Sequence, residues 1–182
     1  LANLYAAMVP AKGELQLDKN FLFQYKLSDH PKAAVHVGWL VAMAYLSNTV
    51  ESKIDSLYQS GIKDFILTGH SQGGGITYML TAHLQQLKLE GKLPQDIQLK
   101  TYCSAGPKPG NLFFAYDYEK KTEDGWAYNV VNTADWVPDV PFSIQTVNDF
   151  TVVTPFSKSK AMIRKQKFTT NLALTQVYNQ IS

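Results

Sequence analysis

Histidine is scarce in this chain: His30, His36, His70 and His83 are the full set, and none follows His83. Cysteine is scarcer still. Cys103 stands alone, so an internal disulfide and a cysteine-built metal cluster are both excluded, and the redox compartment stays open. Neither sign of charge dominates: seventeen Lys+Arg face fifteen Asp+Glu for a net +2, without a run of like charge. A nucleic-acid partner would demand a basic stripe that is absent. No uncharged apolar stretch approaches the roughly 18 residues that a membrane-crossing helix requires. Internal repeats, low-complexity tracts and linkers are also missing.

What is present is an ordinary globular composition: 182 residues, 45% hydrophobic, 12% aromatic and 18% charged. Disorder, collagen and coiled coil are excluded on that basis. The length predicts a single domain over 1–182, or the larger part of one, burying about 70% of the surface its unfolded form exposes. The ends, Leu1-Ala2-Asn3-Leu4-Tyr5 and Tyr178-Asn179-Gln180-Ile181-Ser182, carry neither an initiator Met nor a basic n-region, and the second reads as an interrupted amphipathic segment. The expectation is a fragment or a processed chain, so the missing signal peptide says nothing of the compartment.

Along the chain, residues 1–34 read as irregular, punctuated by Pro10, Gly13, Asp29 and Pro31. Val37, Leu40, Val41, Ala44, Tyr45, Val50, Ile54 and Leu57 recur mainly at three- and four-residue steps, which predicts a helix that Gly61 stops. Asp64 to Thr68 reads as a short buried strand. A second helix follows from Gly73 to Leu89, with Ile76, Leu80, Leu84 and Leu87 on one face. Residues 97–103 alternate like a strand and enter a loop at 104–111. Residues 126–131 form a third strand candidate, ending in a loop at 132–141. Strands alternating with helices imply βαβ units and a mainly parallel sheet flanked by helices.

The sharpest motif is Gly69-His70-Ser71-Gln72-Gly73, the Gly-x-Ser-x-Gly of a nucleophile elbow. Chance alone supplies one such match in roughly 6% of chains this long, so its setting matters. An apolar strand precedes it and an amphipathic helix follows, as the elbow requires. A corner this tight calls for residues without side chains two positions either side of the serine, supplied by Gly69 and Gly73. Gly74 and Gly75 would let the helix approach the sheet closely. Three glycines opening a helix cost roughly 1 kcal/mol each relative to Ala, a cost that implies a packing or functional return. The helix N-terminus aims backbone N–H groups at any oxyanion formed on Ser71, and the N–H of Gln72 is the natural first donor. The competing reading is a glycine-rich turn that happens to contain Ser. A phosphate-binding loop is disfavoured because no Gly-Lys-Ser/Thr follows.

Asp135 is the best candidate acid. It follows the 126–131 strand by a few residues, and Pro138 and Pro141 stiffen what comes after it. A loop at the carboxyl end of a strand is where an open α/β sheet places its site. Its alternative role is to cap a turn, and Asp139 is the backup acid.

Four blocks carry a resemblance to a known family: Val35-His36-Val37-Gly38-Trp39, Thr68-Gly69-His70-Ser71-Gln72-Gly73-Gly74, Gly106-Pro107-Lys108-Pro109-Gly110-Asn111 and Val131-Asn132-Thr133-Ala134-Asp135-Trp136-Val137-Pro138. In this order, across about 35–141, they resemble the class 3 (fungal-type) lipases. The resemblance implies an α/β-hydrolase fold and a carboxylic-ester hydrolase of triacylglycerol-lipase type, with Ser71 as nucleophile and Asp135 as triad acid. It further implies an exported protein, secreted or periplasmic, with a lipid or small-molecule ester as substrate and transient contact with a lipid interface. Gln72 stands where the family usually has Leu, and Lys108-Pro109 where it has Arg-Val. Those departures bear on the acyl pocket more than on the reaction.

A serine hydroxyl needs a base, and in hydrolases of this architecture the histidine follows the acid. No histidine follows Asp135 here. His70, beside the nucleophile, is expected to face into the scaffold. His83, twelve positions along the helix and so roughly 18 Å away, is expected at the surface. His36 is read as a packing or hydrogen-bonding residue, with a rewired base as its alternative role, and His30 is a weaker candidate for that base. The expectation is a catalytic histidine outside this sequence. A second oxyanion donor, which the family draws from a Gly-Thr or Gly-Ser, is likewise missing from residues 1–34. The implied mechanism needs no metal or organic cofactor. Leu1, Leu4, Tyr5 and Met8 fall at helical spacing, which suits a lid or plain core. Phe113, Phe114, Tyr116, Tyr118 and Trp126 suit an acyl-pocket wall or core alike. The alternatives to an ester hydrolase are a degenerate hydrolase fold serving as a binding scaffold, and an acyltransferase or thioesterase on the same machinery.

Overall fold

The computed structural model describes residues 7–140. In chain order they form Met8–Pro10 (β1), Lys12–Asp18 (β2), Phe21–Lys26 (β3), Ala34–His36 (β4), Val37–Gln59 (α1), Asp64–His70 (β5), Gln72–Leu89 (α2), Gln98–Ser104 (β6), Leu112–Lys121 (α3) and Ala127–Val130 (β7), then a 3-10 turn at Val137–Asp139.

The expected parallel sheet is present, in the order β5-β6-β7. Asp64 to His70 pair with Gln98 to Ser104, and Thr101 to Ser104 pair with Ala127 to Val130. Parallel pairing puts all three carboxyl ends on one edge, which is where the elbow and the loop after β7 emerge. The helices α1 and α2 occur where the periodicity places them. His36 caps α1, its Nδ1 accepting from the Trp39 N–H at 3.4 Å. At the other end Gly61, at φ 89°, makes the left-handed exit. The N–H of Ile62 returns to the Leu57 carbonyl and that of Gly61 to the Tyr58 carbonyl, the paired bonds of a Schellman motif.

Helix α2 is buried around most of its circumference rather than on one face. Met79, Thr81, Ala82, His83 and Gln86 are buried along with Leu80, Leu84 and Leu87. The sheet takes one side of α2 and α1 another. This overturns the surface placement of His83. Its ring packs 5.3 Å from Phe23, and its Nε2 lies 3.0 Å from Glu51 Oε1 of α1. On the far side, Thr81 and Thr101 share a hydroxyl hydrogen bond of 2.9 Å between α2 and β6, so these two buried hydroxyls satisfy each other.

Residues 64–68 are not a buried strand. Strand β5 runs on to His70, and its side chains alternate between half-buried and exposed, with Ile66 70% exposed. The helices cover the face bearing Leu99, Thr101 and Cys103, while the opposite face presents Ile66, Tyr102, Tyr128 and Val130 to solvent. There Tyr102 and Tyr128 stack at 5.2 Å, and the Lys100 amine lies 5.4 Å from the Tyr128 ring.

Nor is the stretch up to residue 34 irregular where it is described. Strands β2 and β3 form an antiparallel hairpin, Leu15 opposite Phe23, with a register shift between Gln16 and Asp18. Leu15, Leu17, Phe21, Phe23 and Tyr25 alternate inward. The turn between them, Lys19-Asn20, contains neither Gly nor Pro, so the usual punctuation is absent. Strand β1 pairs with β4, Met8 opposite His36. Met8 is therefore a strand residue, which breaks the helical spacing read for a lid. Leu1, Leu4 and Tyr5 lie outside the described residues, as do Pro141 and the 178–182 segment.

The helix α3 was not anticipated by the periodicity. Asn111 caps it, its Oδ1 accepting from the Phe114 N–H at 3.2 Å. Phe114 and Tyr118, four apart, face the core, whereas Phe113 and Tyr116 are exposed.

Two predictions follow from burial. His36 is 1% exposed with its ring stacked on Trp39 at 4.0 Å. Burial disfavours its charged form and lowers its pKa below the ordinary 6.5. As pH falls through 6.5 the unfolded chain takes up this proton first, so stability is full above that pH and declines below it. His36→Asn, which keeps a capping acceptor, should flatten this limb of a melting-temperature-against-pH curve in the full-length polypeptide. Cys103 is fully buried with its thiol pushed up to about 12 by desolvation. It should resist a thiol reagent at pH 8 in the native protein and react once denatured.

Candidate active site

Strand β5 ends at His70 and α2 begins at Gln72, so the whole corner is one residue, Ser71. Its backbone sits at φ 55°, ψ −126°, where a residue with a Cβ costs about 1–3 kcal/mol. Bonds on both sides hold it there. The Ser71 N–H donates to the Ser104 carbonyl at 2.9 Å, and the Ser71 carbonyl accepts from the Gly75 N–H at 3.2 Å. A serine opening a helix ordinarily spends its hydroxyl on a cap. That of Ser71 makes no capping bond, so Oγ is kept for other use, and the residue is half-buried.

The glycines divide the work differently from the sequence reading. A Cβ on Gly69 would collide with the Gly73 carbonyl and the Thr77 hydroxyl, so position 69 admits no side chain. At Gly73 nothing lies within 4 Å of where a Cβ would stand. It is the passage of its backbone over Gly69, not its own missing side chain, that makes the corner tight. A Cβ on Gly74 would come within 2.9 Å of the Gly106 Cα, so α2 does approach the end of β6 at backbone range. Gly75 makes room for the Trp39 ring of α1 and for Pro107, at 3.1 and 3.3 Å, rather than for the sheet.

Gln72 is the first residue of α2. Its N–H is one of those a helix leaves without an intrahelical acceptor, at the end where the dipole is positive. His70 does not point into the scaffold. It lies on the exposed side of the sheet, Nδ1 2.9 Å from Ser104 Oγ.

Asp135 is half-buried in the loop after β7. The Asn132 side chain accepts from the Ala134 N–H at 2.9 Å and the Asn132 carbonyl from the Asp135 N–H at 2.9 Å. One carboxylate oxygen of Asp135 accepts from the Val137 N–H at 3.0 Å. The turn-capping role weighed for this residue is therefore real, and it occupies one of two oxygens. Asp139, the backup acid, closes the 3-10 turn that follows and is half-buried. Since β5 and β7 flank β6, the carboxyl ends leading to Ser71 and Asp135 stand two strand spacings apart, about 10 Å. An imidazole spans a gap of that order. His30 stacks on Phe113 at 4.5 Å, and His36 is committed to capping α1.

Sequence reasoning missed Ser104 and Lys108 as supports of this edge. Lys108 donates from its backbone N–H to the Val140 carbonyl at 2.8 Å and from Nζ to the Asp139 carbonyl at 3.0 Å. No periodicity links positions some thirty residues apart. A cavity of about 470 Å³ opens beside this segment, walled by Tyr78, Lys108, Phe114, Tyr118, Tyr128 and Pro138. Of the aromatics considered for an acyl pocket, Phe114 and Tyr118 line it and Phe113, Tyr116 and Trp126 do not.

The glycine geometry predicts opposite outcomes for two like substitutions. Gly69→Ala should lower stability by about 1–3 kcal/mol through overpacking. Gly73→Ala should leave it unchanged or raise it by up to about 1 kcal/mol through helix propensity. Denaturant melts of the two variants measure the difference.

The family model described as Lipase (class 3) matches residues 10–145. A curated relative from Fusarium solani, secreted mono- and diacylglycerol lipase 1, is 30% identical over 124 residues, covering 67% of this chain and 34% of its own length. Among solved structures, M37 lipase superposes with a TM-score of 0.60 at 17% identity, over 98% of this chain and 51% of its own. Lipase II from Rhizopus niveus does so with a TM-score of 0.52 at 30% identity, over 65% of this chain and 43% of its own. The fold is thus that of the α/β hydrolases, and the chain spans between a third and a half of the length of these relatives.

Proposed function

The chain belongs to the class 3 lipase family, and from that premise we propose that the protein is a serine hydrolase of lipid esters. One observation carries the reading: Ser71 is held at positive φ on a one-residue corner with its hydroxyl unspent on the helix it caps. A fold accepts such strain where the strained group has a use.

In the proposed reaction Ser71 Oγ attacks the ester carbonyl carbon while a histidine elsewhere in the full-length polypeptide takes its proton. The Asp135 carboxylate accepts the Nδ1–H of that histidine, orienting it and stabilising its cationic form without taking the proton. The Gln72 N–H donates to the oxyanion of the tetrahedral intermediate. Collapse expels the alcohol, protonated by the imidazolium. Water then adds to the acyl-Ser71 carbonyl, with the same base accepting its proton, and the free acid leaves. The Fusarium relative is named as a secreted enzyme acting on mono- and diacylglycerol, which supports an acylglycerol substrate met at a lipid interface outside the cell. In this reading 1–182 is one α/β-hydrolase domain in part, and the rest of the full-length polypeptide supplies the histidine.

The test is a fluorophosphonate probe on the full-length polypeptide. Wild type should label and Ser71→Ala should not, and Asp135→Asn should cut hydrolysis of a p-nitrophenyl ester on the order of 10⁴-fold. Full-length wild type that neither labels nor turns over ester would favour the scaffold reading. Labelling with turnover only in the presence of an acceptor alcohol would favour an acyltransferase.

A further inference from the structure

We propose that Lys108 is a positioning residue that sets the place of Asp135 relative to Ser71; the inference rests on the reading of Asp135 as the catalytic acid. The bonds within the loop after β7 shape it. Asn132 holds Ala134 and Asp135, Asp135 holds Val137, and the 3-10 turn returns Asp139 to Trp136 and Val140 to Val137. Attachment to the β6–α3 segment comes at the far end, where Lys108 reaches two successive carbonyls with two different donors. Its backbone N–H binds the Val140 carbonyl and its half-buried Nζ the Asp139 carbonyl.

Lys108 can fix that end because its own segment is held on two further sides. Behind it, the Pro109 carbonyl accepts from His36 N–H at 2.9 Å, and Asn111 bonds to Ala34 through backbone and side chain. Before it, Gly106 lies against Gly74 of the elbow helix with no room for a Cβ, and Ser104 accepts the Ser71 N–H. One run of eight residues, 104–111, therefore touches the nucleophile at its start and the acid loop at Lys108. The Nζ bond is the side-chain part of that link. Removing it lets the 137–140 turn shift, and a shift of about 1 Å in a catalytic group costs turnover far more than substrate binding.

The experiment measures kcat and KM for a short-chain p-nitrophenyl ester, with melting curves, in the full-length polypeptide. Lys108→Met keeps the methylene stem and the backbone bond and loses only the ammonium. It should lower kcat on the order of 10- to 100-fold while KM changes by less than about twofold. Lys108→Arg, which keeps a donor at similar reach, should recover most of the loss. In an Asp135→Asn background, Lys108→Met should cost nothing more, because the group it positions is already disabled. Should Lys108→Met fold poorly, Lys108→Gln, whose shorter side chain falls short of the carbonyl, is read in the same way. Wild-type kcat in Lys108→Met alongside a crippled Asp135→Asn would overturn the proposal. So would a loss that adds in full to that of Asp135→Asn, which marks general loosening. A fully active Asp135→Asn would instead refute the assignment of the acid, and the proposal would fall with it.

Discussion

Backbone against backbone, Gly74 of α2 rests on Gly106 at the end of β6 with no space for a methyl group between them. This contact governs the arrangement of the site. It brings the helix N-terminus against the strand that pairs with β5, so that the Ser71 N–H meets the Ser104 carbonyl and the strained corner is held from both directions. Remove the contact and α2 must lift by at least the width of a Cβ. The corner would then relax toward a conformation that serine prefers, and the hydroxyl would turn to capping like other helix-opening serines.

Strain of this kind must be offset, and the burial of α2 does it. Met79, Ala82 and Leu84 are fully enclosed; Met79 and Leu84 are each worth about 1.5–3 kcal/mol of burial and the Ala82 methyl about 0.8 kcal/mol. Two of the polar residues enclosed with them are matched in pairs, Thr81 with Thr101 and His83 with Glu51. Each pair also ties α2 to a different neighbour, β6 in one case and α1 in the other. A helix locked along its length cannot yield at its first turn. The buried apolar face thus stiffens the corner at Ser71, the nucleophile of the proposed reaction.

Much of this was legible beforehand because it depends on local pattern. The three- and four-residue recurrence from Val37 onward announces α1, and the alternation at 97–103 announces β6. A glycine-flanked serine between a strand and a helix announces the corner at Ser71. Where reading failed, the missing information was non-local. Lys19-Asn20 turns the β2–β3 hairpin without Gly or Pro, so only pairing across the hairpin reveals it. Ile66 looks like core by composition, yet the helices cover the other face of its strand. His83 looks like a helix surface residue until α1 supplies Glu51 opposite it.

By itself the sequence determined the succession α1, β5, α2, β6 and β7, the residue at the corner and the loop after the last strand that carries Asp135, since each is written in spacing, turn chemistry or local apolar periodicity. Tertiary structure alone decided which glycine has no room for a side chain, that Gly75 serves α1 rather than the sheet, and that Lys108 grips the end of the loop after β7. Those are distances between segments tens of residues apart. A linear pattern encodes the direction in which each side chain leaves the backbone, and only the packed chain settles what it meets.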